Sequence, residues 1–334
     1  MAEVRDSEPV SQDWPEEYQP AVDRLGKPLA EHHFPENEYR RRMRRVWLML
    51  ITSILWPIFS CIGGFLIGLG FNASFLTLYL VVFVFSVWQF RVTRLNRRAR
   101  VLRFETGLLI WQKGKLVSFP WSEIQSAFIH SDNLSRLTLQ AGPGYHYLNI
   151  EPRDSHWLRR FTLLFRLSHT QIQLVRDDGA EIKLPGYLTN FSELLREVQM
   201  HIYLKNWDRL WDDFMQNQMA HFERKYYHLG LGYSTLVKLK KLEDLITLNW
   251  QGFRFAVFGK NNVWRTVAWS DYKSLRISNF LIVETPSRWR VYNLGALATL
   301  ENPHILIHFF NEAYNWYCHL RESEDPSSAV ELQD

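Results

Sequence analysis

The sequence predicts an α+β protein in which a transmembrane helical hairpin precedes two strand-rich domains, each closed by a C-terminal helix. Residues 46–90 contain no Asp, Glu, Lys, Arg or His, and one membrane span needs about 20 apolar residues. Beyond residue 104, short runs separated by turn residues, such as 171–176, 245–249 and 280–284, predict strands. Asp178-Gly179 predicts a type I′ hairpin turn. A local motif around Trp121 returns around Trp269, which indicates a tandem repeat.

The formal charge of +4 is distributed very unevenly along the 334 residues. Residues 1–39 carry a net charge of −7 and residues 322–334 carry −5, whereas eleven arginines lie within residues 40–45 and 91–103. Because this dense positive charge flanks the apolar block, it favours a membrane rather than a nucleic acid as partner. The two cysteines, Cys61 and Cys318, lack any zinc spacing and indicate a reducing compartment.

The apolar block predicts two membrane helices, at residues 46–69 and from residue 71 or 75 to residue 90. The turn-forming stretch LGFNAS at residues 69–74 separates them. Arginine beside a span is retained on the cytoplasmic side, so both termini are expected inside, in an integral plasma or inner membrane protein. The alternative is a buried hairpin of a soluble protein. The flanking arginines are Arg40, Arg41, Arg42, Arg44 and Arg45 before the hairpin, and Arg91, Arg94, Arg97, Arg98, Arg100 and Arg103 after it.

Small residues recur every fourth position along the first predicted membrane helix, at Ser60, Gly64 and Gly68. Such a row allows two helix backbones to approach closely. We expect it to pack against the second helix of the hairpin, and a homo-oligomer face is the alternative.

The region after the hairpin is expected to hold two copies of one domain, at residues 104–204 and 229–321, joined by a linker helix at residues 205–228. GLLIWQKGKLVSFPWSEIQS, starting at Gly107, matches GFRFAVFGKNNVWRTVAWSDYKS, starting at Gly252, and aligns Trp121 with Trp269. Asn190 and Asn302 are placed as the N-caps of the two closing helices. The tails at residues 1–39 and 322–334 have too little apolar sequence to fold and are expected to be disordered.

The segment FETGLLIWQKGKLVSFPWSEI, residues 104–124, resembles bacterial membrane proteins with pleckstrin-homology-like (PH-like) domains. The chain is similar to uncharacterised members in which a transmembrane hairpin precedes two such domains. The resemblance implies two PH-like barrels or sandwiches, each plugged by its C-terminal helix. It indicates a fold rather than an activity.

Candidate catalytic and metal-binding residues are few. Glu301, His304 and His308 can share one face of the last helix, but zinc needs further ligands, so we expect ordinary helix-surface residues. The chain lacks the glycine spacings of phosphate-binding loops and the GxSxG motif. We therefore expect no enzyme, no metal and no cofactor, with a hydrolase using His304 and His308 as a minor alternative.

These observations together predict a non-enzymatic, membrane-anchored protein that presents a protein- or lipid-binding surface at the cytoplasmic face. The expected partners are the lipid bilayer, anionic lipid headgroups attracted by the arginines and an unknown protein, but no nucleic acid. The alternative function is a subunit of an oligomeric membrane channel or transport assembly.

Overall fold

The chain is a mixed α and β protein in the computed structural model. The structure describes residues 19–67, 73–97, 99–112, 115–130, 135–142, 145–152, 171–186, 188–223, 245–256, 263–278, 280–286 and 291–324. The helices of this part are α1 (Gln19–Leu25), α2 (Glu36–Ile67), α3 (Ala73–Asn96), α4 (Phe191–Asn217) and α5 (Pro303–Glu324).

The described strands are short and antiparallel. They are β1 (Pro28–His33), β2 (Arg100–Phe104), β3 (Gly107–Gln112), β4 (Lys115–Pro120), β5 (Ile124–His130), β6 (Ser135–Gly142), β7 (Tyr145–Pro152), β8 (Gln171–Arg176), β9 (Glu181–Pro185), β10 (Met219–Glu223), β11 (Leu245–Asn249), β12 (Gly252–Ala256), β13 (Trp264–Ala268), β14 (Ser274–Ile277), β15 (Phe280–Glu284) and β16 (Val291–Ala296).

The chain divides into two compact units. The first comprises Met1–Pro120 and Tyr187–Phe191, and the second comprises Trp121–Gly186 and Ser192–Asp334. The division passes through the first domain expected from the sequence, residues 104–204, and the tandem domain ranges stay a prediction.

The first unit contains a four-stranded sheet in the order β1-β2-β3-β4 and the helices α1, α2 and α3. Alternating apolar residues of the strands face α1, so that Leu102, Phe104 and Leu109 enclose Leu25 in a small core. The hydroxyl of Thr106 donates a hydrogen bond of 2.8 Å to the Leu25 carbonyl and ties the end of α1 to the β2–β3 turn.

The predicted transmembrane hairpin is wrong. None of the helices in the described part of the chain has an apolar stretch long enough to cross a membrane. The localisation with two spans and both termini cytoplasmic is overturned with the hairpin.

Residues 19–39 also differ from the disordered tail that their composition suggested, because they contain α1, β1 and the start of α2. Strand β1 pairs with β2, and His33 is tied to Thr189 by two hydrogen bonds of 2.9 Å, one in each direction. Pairing with a distant segment supplies the stability that local composition does not show. Arg100 and Arg103, expected among the flanking arginines, lie within β2.

The second unit contains the sheets β5-β8-β9, β6-β7, β10-β11-β12-β13 and β14-β15-β16. Together with the sheet of the first unit, the described strands form five separate small sheets, and no strand pair in the described ranges joins one sheet to another. The expected fold class of two PH-like barrels or sandwiches is therefore not supported.

Helix α4 runs without interruption from Phe191 to Asn217, so the linker helix expected at residues 205–228 continues the closing helix before it and ends before β10. Asn190 and Asn302 precede α4 and α5 with positive φ values of 51° and 46°, not the extended backbone typical of an N-cap. Asn302 instead pairs with Ala127 of β5, donating from its backbone N–H (3.1 Å) and accepting at Oδ1 (2.8 Å).

Candidate binding surface

Helices α2 and α3 pack against each other in the first unit with an unusual distribution of side chains. Small and polar residues are buried along them, including Ser53, Ser86, Gln89 and Thr93. The Ser53 and Ser86 hydroxyls donate to the carbonyls of the preceding helical turn at 2.8 Å and 2.7 Å, which satisfies them inside the hairpin.

Large apolar residues of the same two helices are exposed instead. Trp47, Trp56 and Trp88 are 52%, 60% and 47% exposed, and Trp47 packs edge-on against Phe90 with ring centroids 5.7 Å apart. We name the following fifteen exposed residues the α2–α3 surface: Trp47, Leu48, Ile51, Ile54, Leu55, Trp56, Ile58, Phe59, Leu80, Val81, Phe83, Val84, Phe85, Val87 and Trp88.

The arginines singled out from the sequence lie at the ends of these helices. Arg40, Arg41, Arg42, Arg44 and Arg45 occupy the second and third turns of α2, Arg91 and Arg94 lie on α3, and Arg97 follows α3. Glu36 approaches two of them, Arg40 at 3.4 Å and Arg97 at 3.5 Å. Arg98 lies outside the described residues.

A groove of about 640 Å³ follows the basic end of α2. It is lined by Glu36, Asn37, Arg40, Arg41, Arg44 and Arg45. Helices α2 and α3 carry seven arginines against two glutamates, Glu36 and Glu38, so the groove has a strong positive potential that attracts anionic groups.

The predicted helix-packing row cannot be located. Ser60 and Gly64 belong to α2, but the structure does not describe what they contact. Gly68 lies outside the described residues. The choice between hairpin packing and an oligomer face for this row stays open.

The repeat signature is placed in closely similar geometry in the two copies. Gly107 pairs with Pro120 and Gly252 pairs with Ala268, one residue before Trp121 and Trp269 respectively. Each tryptophan is buried and opens a 3-10 turn, Trp121–Glu123 and Trp269–Asp271. A Cβ at Gly107 would lie 2.6 Å from the Phe119 carbonyl oxygen, and one at Gly252 would lie 2.0 Å from that of Val267.

These glycines are therefore required by the close approach of the neighbouring strand. Each tryptophan then packs on the helix that follows its sheet. Trp121 stacks on His201 of α4 with ring centroids 4.2 Å apart, and Trp269 meets Phe310 of α5 at 5.7 Å. The four signature residues serve the fold and do not form a binding site together.

The histidines of α5 lie in the protein interior, and the expectation of a helix-surface position is wrong. His304 is fully buried, and its Nε2 lies 3.1 Å from the Gln199 carbonyl oxygen. Burial lowers the pKa of His304 to about 3. His308 is also buried, and its Nδ1 lies 2.8 Å from Nδ1 of His146 on β7. Burial and the neighbouring His146 lower the pKa of His308 to about 4.

Both imidazoles are thus held neutral, and one ring of the His146–His308 pair must carry its proton on Nδ1 and donate it to the other. Glu301 lies apart from them in a polar cleft of about 210 Å³ that Arg209 and His221 also line. Within the described residues, no group of three or more His, Cys, Asp or Glu side chains is arranged to hold a metal ion.

Sequence reasoning missed the aromatic ladder that lies beside these histidines. Tyr203, Trp207 and Trp211 of α4 stack in succession, with centroid distances of 5.1 Å and 5.6 Å. Trp207 also lies 4.5 Å from His308. The signal was available, because aromatic residues four apart on a helix share one face, but their contact with α5 involves residues about 100 positions away.

No family model matches the chain, and no curated protein matches it significantly.

Proposed function

We propose that this chain is a non-enzymatic binding protein whose α2–α3 surface docks an amphipathic helix of a protein partner. The partner helix carries an apolar stripe with acidic residues at one end. The observation that carries the proposal is the inverted distribution of side chains on α2 and α3, with polar residues buried between the helices and fifteen large apolar residues exposed.

The size of the exposed apolar area supports a docked partner. Fifteen side chains exposed by about 36–65% present on the order of 1,000 Å² of apolar area, since a large side chain such as an aromatic contributes roughly 150–250 Å² when fully exposed. Monomeric proteins rarely expose apolar patches beyond a few hundred Å², and a standard interface covers about 800 Å² per partner.

Three tryptophans within this area provide anchors for such an interface. Trp47, Trp56 and Trp88 are each about half exposed, and tryptophan is enriched among the residues that dominate binding energies. An amphipathic helix places apolar side chains three and four residues apart, which suits a groove formed by two packed helices.

The arginines select the charge of the partner. Arg40 and Arg44 are exposed one helical turn apart in the basic groove, directly before the apolar residues that start at Trp47. A parallel second copy of this chain would bring its own arginines against them, and like charges in contact disfavour that pairing. An acidic segment neutralises the groove instead.

The experiment uses the full chain and two labelled 22-residue helical peptides with the same leucine stripe. One peptide carries four glutamates at one end, and the other carries lysines at those positions. Fluorescence anisotropy at low salt is expected to show at least tenfold tighter binding of the glutamate peptide, with the difference shrinking as salt rises.

Matched variants separate the two components of the surface. Arg40→Glu with Arg44→Glu should reverse the charge preference, whereas Lys273→Glu with Arg276→Glu, both exposed in the second unit, should leave it unchanged. Trp56→Ser should weaken binding of both peptides.

Three outcomes contradict the proposal. Equal affinity for the two peptides removes the role of the arginines. Light scattering that shows a stable oligomer unable to bind either peptide assigns the surface to self-association. Uptake by neutral lipid vesicles without peptide binding assigns it to lipid.

A further inference from the structure

A further cleft lies in the second unit, along the surface between helices α4 and α5. It has a volume of about 380 Å³ and is lined by Trp211 of α4 and by Glu312, Asn315 and Trp316 of α5, among others. Small-molecule sites begin at about 300 Å³, so the cleft is large enough for a compact ligand group.

Two tryptophans form walls of this cleft and are held in place by other aromatic rings. Trp211 ends the ladder that starts at Tyr203, and it also packs against Phe309 with centroids 5.3 Å apart. Trp316 is 38% exposed and leans on Trp250 at 5.9 Å. Both rings line the cleft, and their positions are fixed by packing.

A carboxylate accompanies these two rings. Glu312 is half-buried and lies one helical turn before Trp316, so both side chains project from the same side of α5. Burial, followed by the charges of Glu312 and Asp208, raises the pKa of Tyr203 to about 12. The described part of the chain contains no ion-pair or hydrogen-bond partner for it.

The surrounding charge has the same sign. Asp208, Asp212 and Asp213 lie on the last turns of α4 together with Arg209, and His319 of α5 also lines the cleft itself. A half-buried carboxylate in a cleft lined by two tryptophans is a combination that suits an alkylammonium ion, because aromatic rings attract a cation through their negative faces and the acid neutralises it.

We propose that this cleft is a binding site for an alkylammonium group, either of a small quaternary amine or of a methylated lysine side chain. The inference is independent of the α2–α3 surface and concerns residues of the second unit only. Trp211 and Trp316 provide the cation–π contacts, and Glu312 provides the counter-charge.

The test compares choline with 3,3-dimethylbutan-1-ol, a neutral molecule of the same shape, by isothermal titration calorimetry on the full chain. We expect choline to bind at least tenfold more tightly. An N-acetyl-trimethyllysine peptide distinguishes the sources: tighter binding than choline assigns the site to a protein lysine, and weaker binding assigns it to a small amine.

Variants identify the residues. Glu312→Gln should lower choline affinity at least tenfold and remove the discrimination against the neutral alcohol, and Trp316→Leu should weaken choline binding several-fold. Glu301→Gln, just before the start of α5, is the matched control and should bind as the wild type does. Equal binding of choline and the alcohol, or binding of neither choline nor the peptide, overturns the proposal.

Discussion

Replacing Gln199 with methionine tests how the hairpin β6–β7 is held on helix α4. Oε1 of Gln199 accepts a hydrogen bond of 2.8 Å from the Leu148 N–H, and Nε2 donates one of 2.8 Å to the Leu148 carbonyl. Both residues are fully buried, so water cannot replace these bonds. Methionine has a similar length and helix propensity, and it therefore removes the hydrogen bonds with little change in packing.

The expected cost follows from the two backbone groups left without partners. An unsatisfied buried donor or acceptor costs about 1–3 kcal/mol, so leaving both the N–H and the carbonyl of Leu148 without partners should destabilise the hairpin by about 2–6 kcal/mol. This is a large part of the typical 5–15 kcal/mol stability of a folded protein.

Amide hydrogen exchange at Leu148 reports this change directly. If the amide exchanges through local opening, lowering the free energy of this opening by about 2 kcal/mol accelerates exchange roughly 30-fold, since 1.4 kcal/mol corresponds to a factor of ten. Gln125→Met, at an exposed position of β5, is the control and should leave the rate unchanged. Unaltered exchange in Gln199→Met would refute the assignment of the two hydrogen bonds.

The substitution Gln199→Glu adds a pH dependence of known sign. The introduced carboxylate can accept from the Leu148 N–H but cannot donate to its carbonyl, whereas the protonated acid can do both. Burial raises the pKa of such a carboxyl. The variant should therefore recover stability relative to Gln199→Met as the pH falls from 8 to 5, measured by urea unfolding.

Three further predictions concern single residues. His304 has a folded-state pKa of about 3, against about 6.5 in the unfolded chain. Its contribution to the free energy of unfolding should therefore fall as the pH drops below about 6.5, by about 2–3 kcal/mol at pH 4.5. His304→Gln should remove this contribution in urea unfolding, while the similar contribution of His308, whose folded-state pKa is about 4, remains. Gly252→Ala places a Cβ 2.0 Å from the Val267 carbonyl oxygen and should lower the unfolding free energy by at least 1–3 kcal/mol. Lys205 donates to the Ser122 and Ile124 carbonyls at 2.6 Å and 3.2 Å, and Lys205→Met should lower Tm by a few degrees.

Much of the strand structure was predictable from local sequence. The expected bounds of β8, β11 and β15 are confirmed, because each is a short alternating run between turn residues. A hairpin turn at Asp178-Gly179 is also confirmed, but not its type I′ geometry: Gly179 has a φ of 81° and its N–H donates a hydrogen bond of 2.8 Å to the Arg176 carbonyl, whereas Asp178 does not have a positive φ.

Elements that depend on distant partners were not predictable. Strand β1, with the sequence PLAEHH, has no alternating apolar pattern and is stabilised by β2, about 70 residues later. The positive φ of Asn302 serves a pairing with Ala127, 175 positions away. The apolar block of α2 and α3 was visible, but apolar composition alone could not show which side chains are exposed or what they contact.

The candidate sites were predictable only in part, for the same reason. The arginines of α2 stand out in the sequence because their charge is local. The α4–α5 cleft does not, because Trp211 and Glu312 are 101 positions apart and each alone is an ordinary helix residue. Neither residue belongs to a motif, so only the packing of the two helices brings them together.

The two copies of the repeat share constraints on the backbone rather than chemistry. Both copies have a glycine close to a carbonyl of the neighbouring strand and a buried tryptophan that opens a 3-10 turn. Both also have an asparagine with positive φ before the helix. His146 and Glu312, by contrast, do not belong to these shared positions. His146 lies on the β6–β7 hairpin, which has no counterpart among the described strands of the second copy, and Glu312 lies on the last helix. The residues that fix the backbone thus recur around Trp121 and Trp269, whereas His146 and Glu312 are not among the recurring positions, so functional groups are to be sought where the two segments diverge.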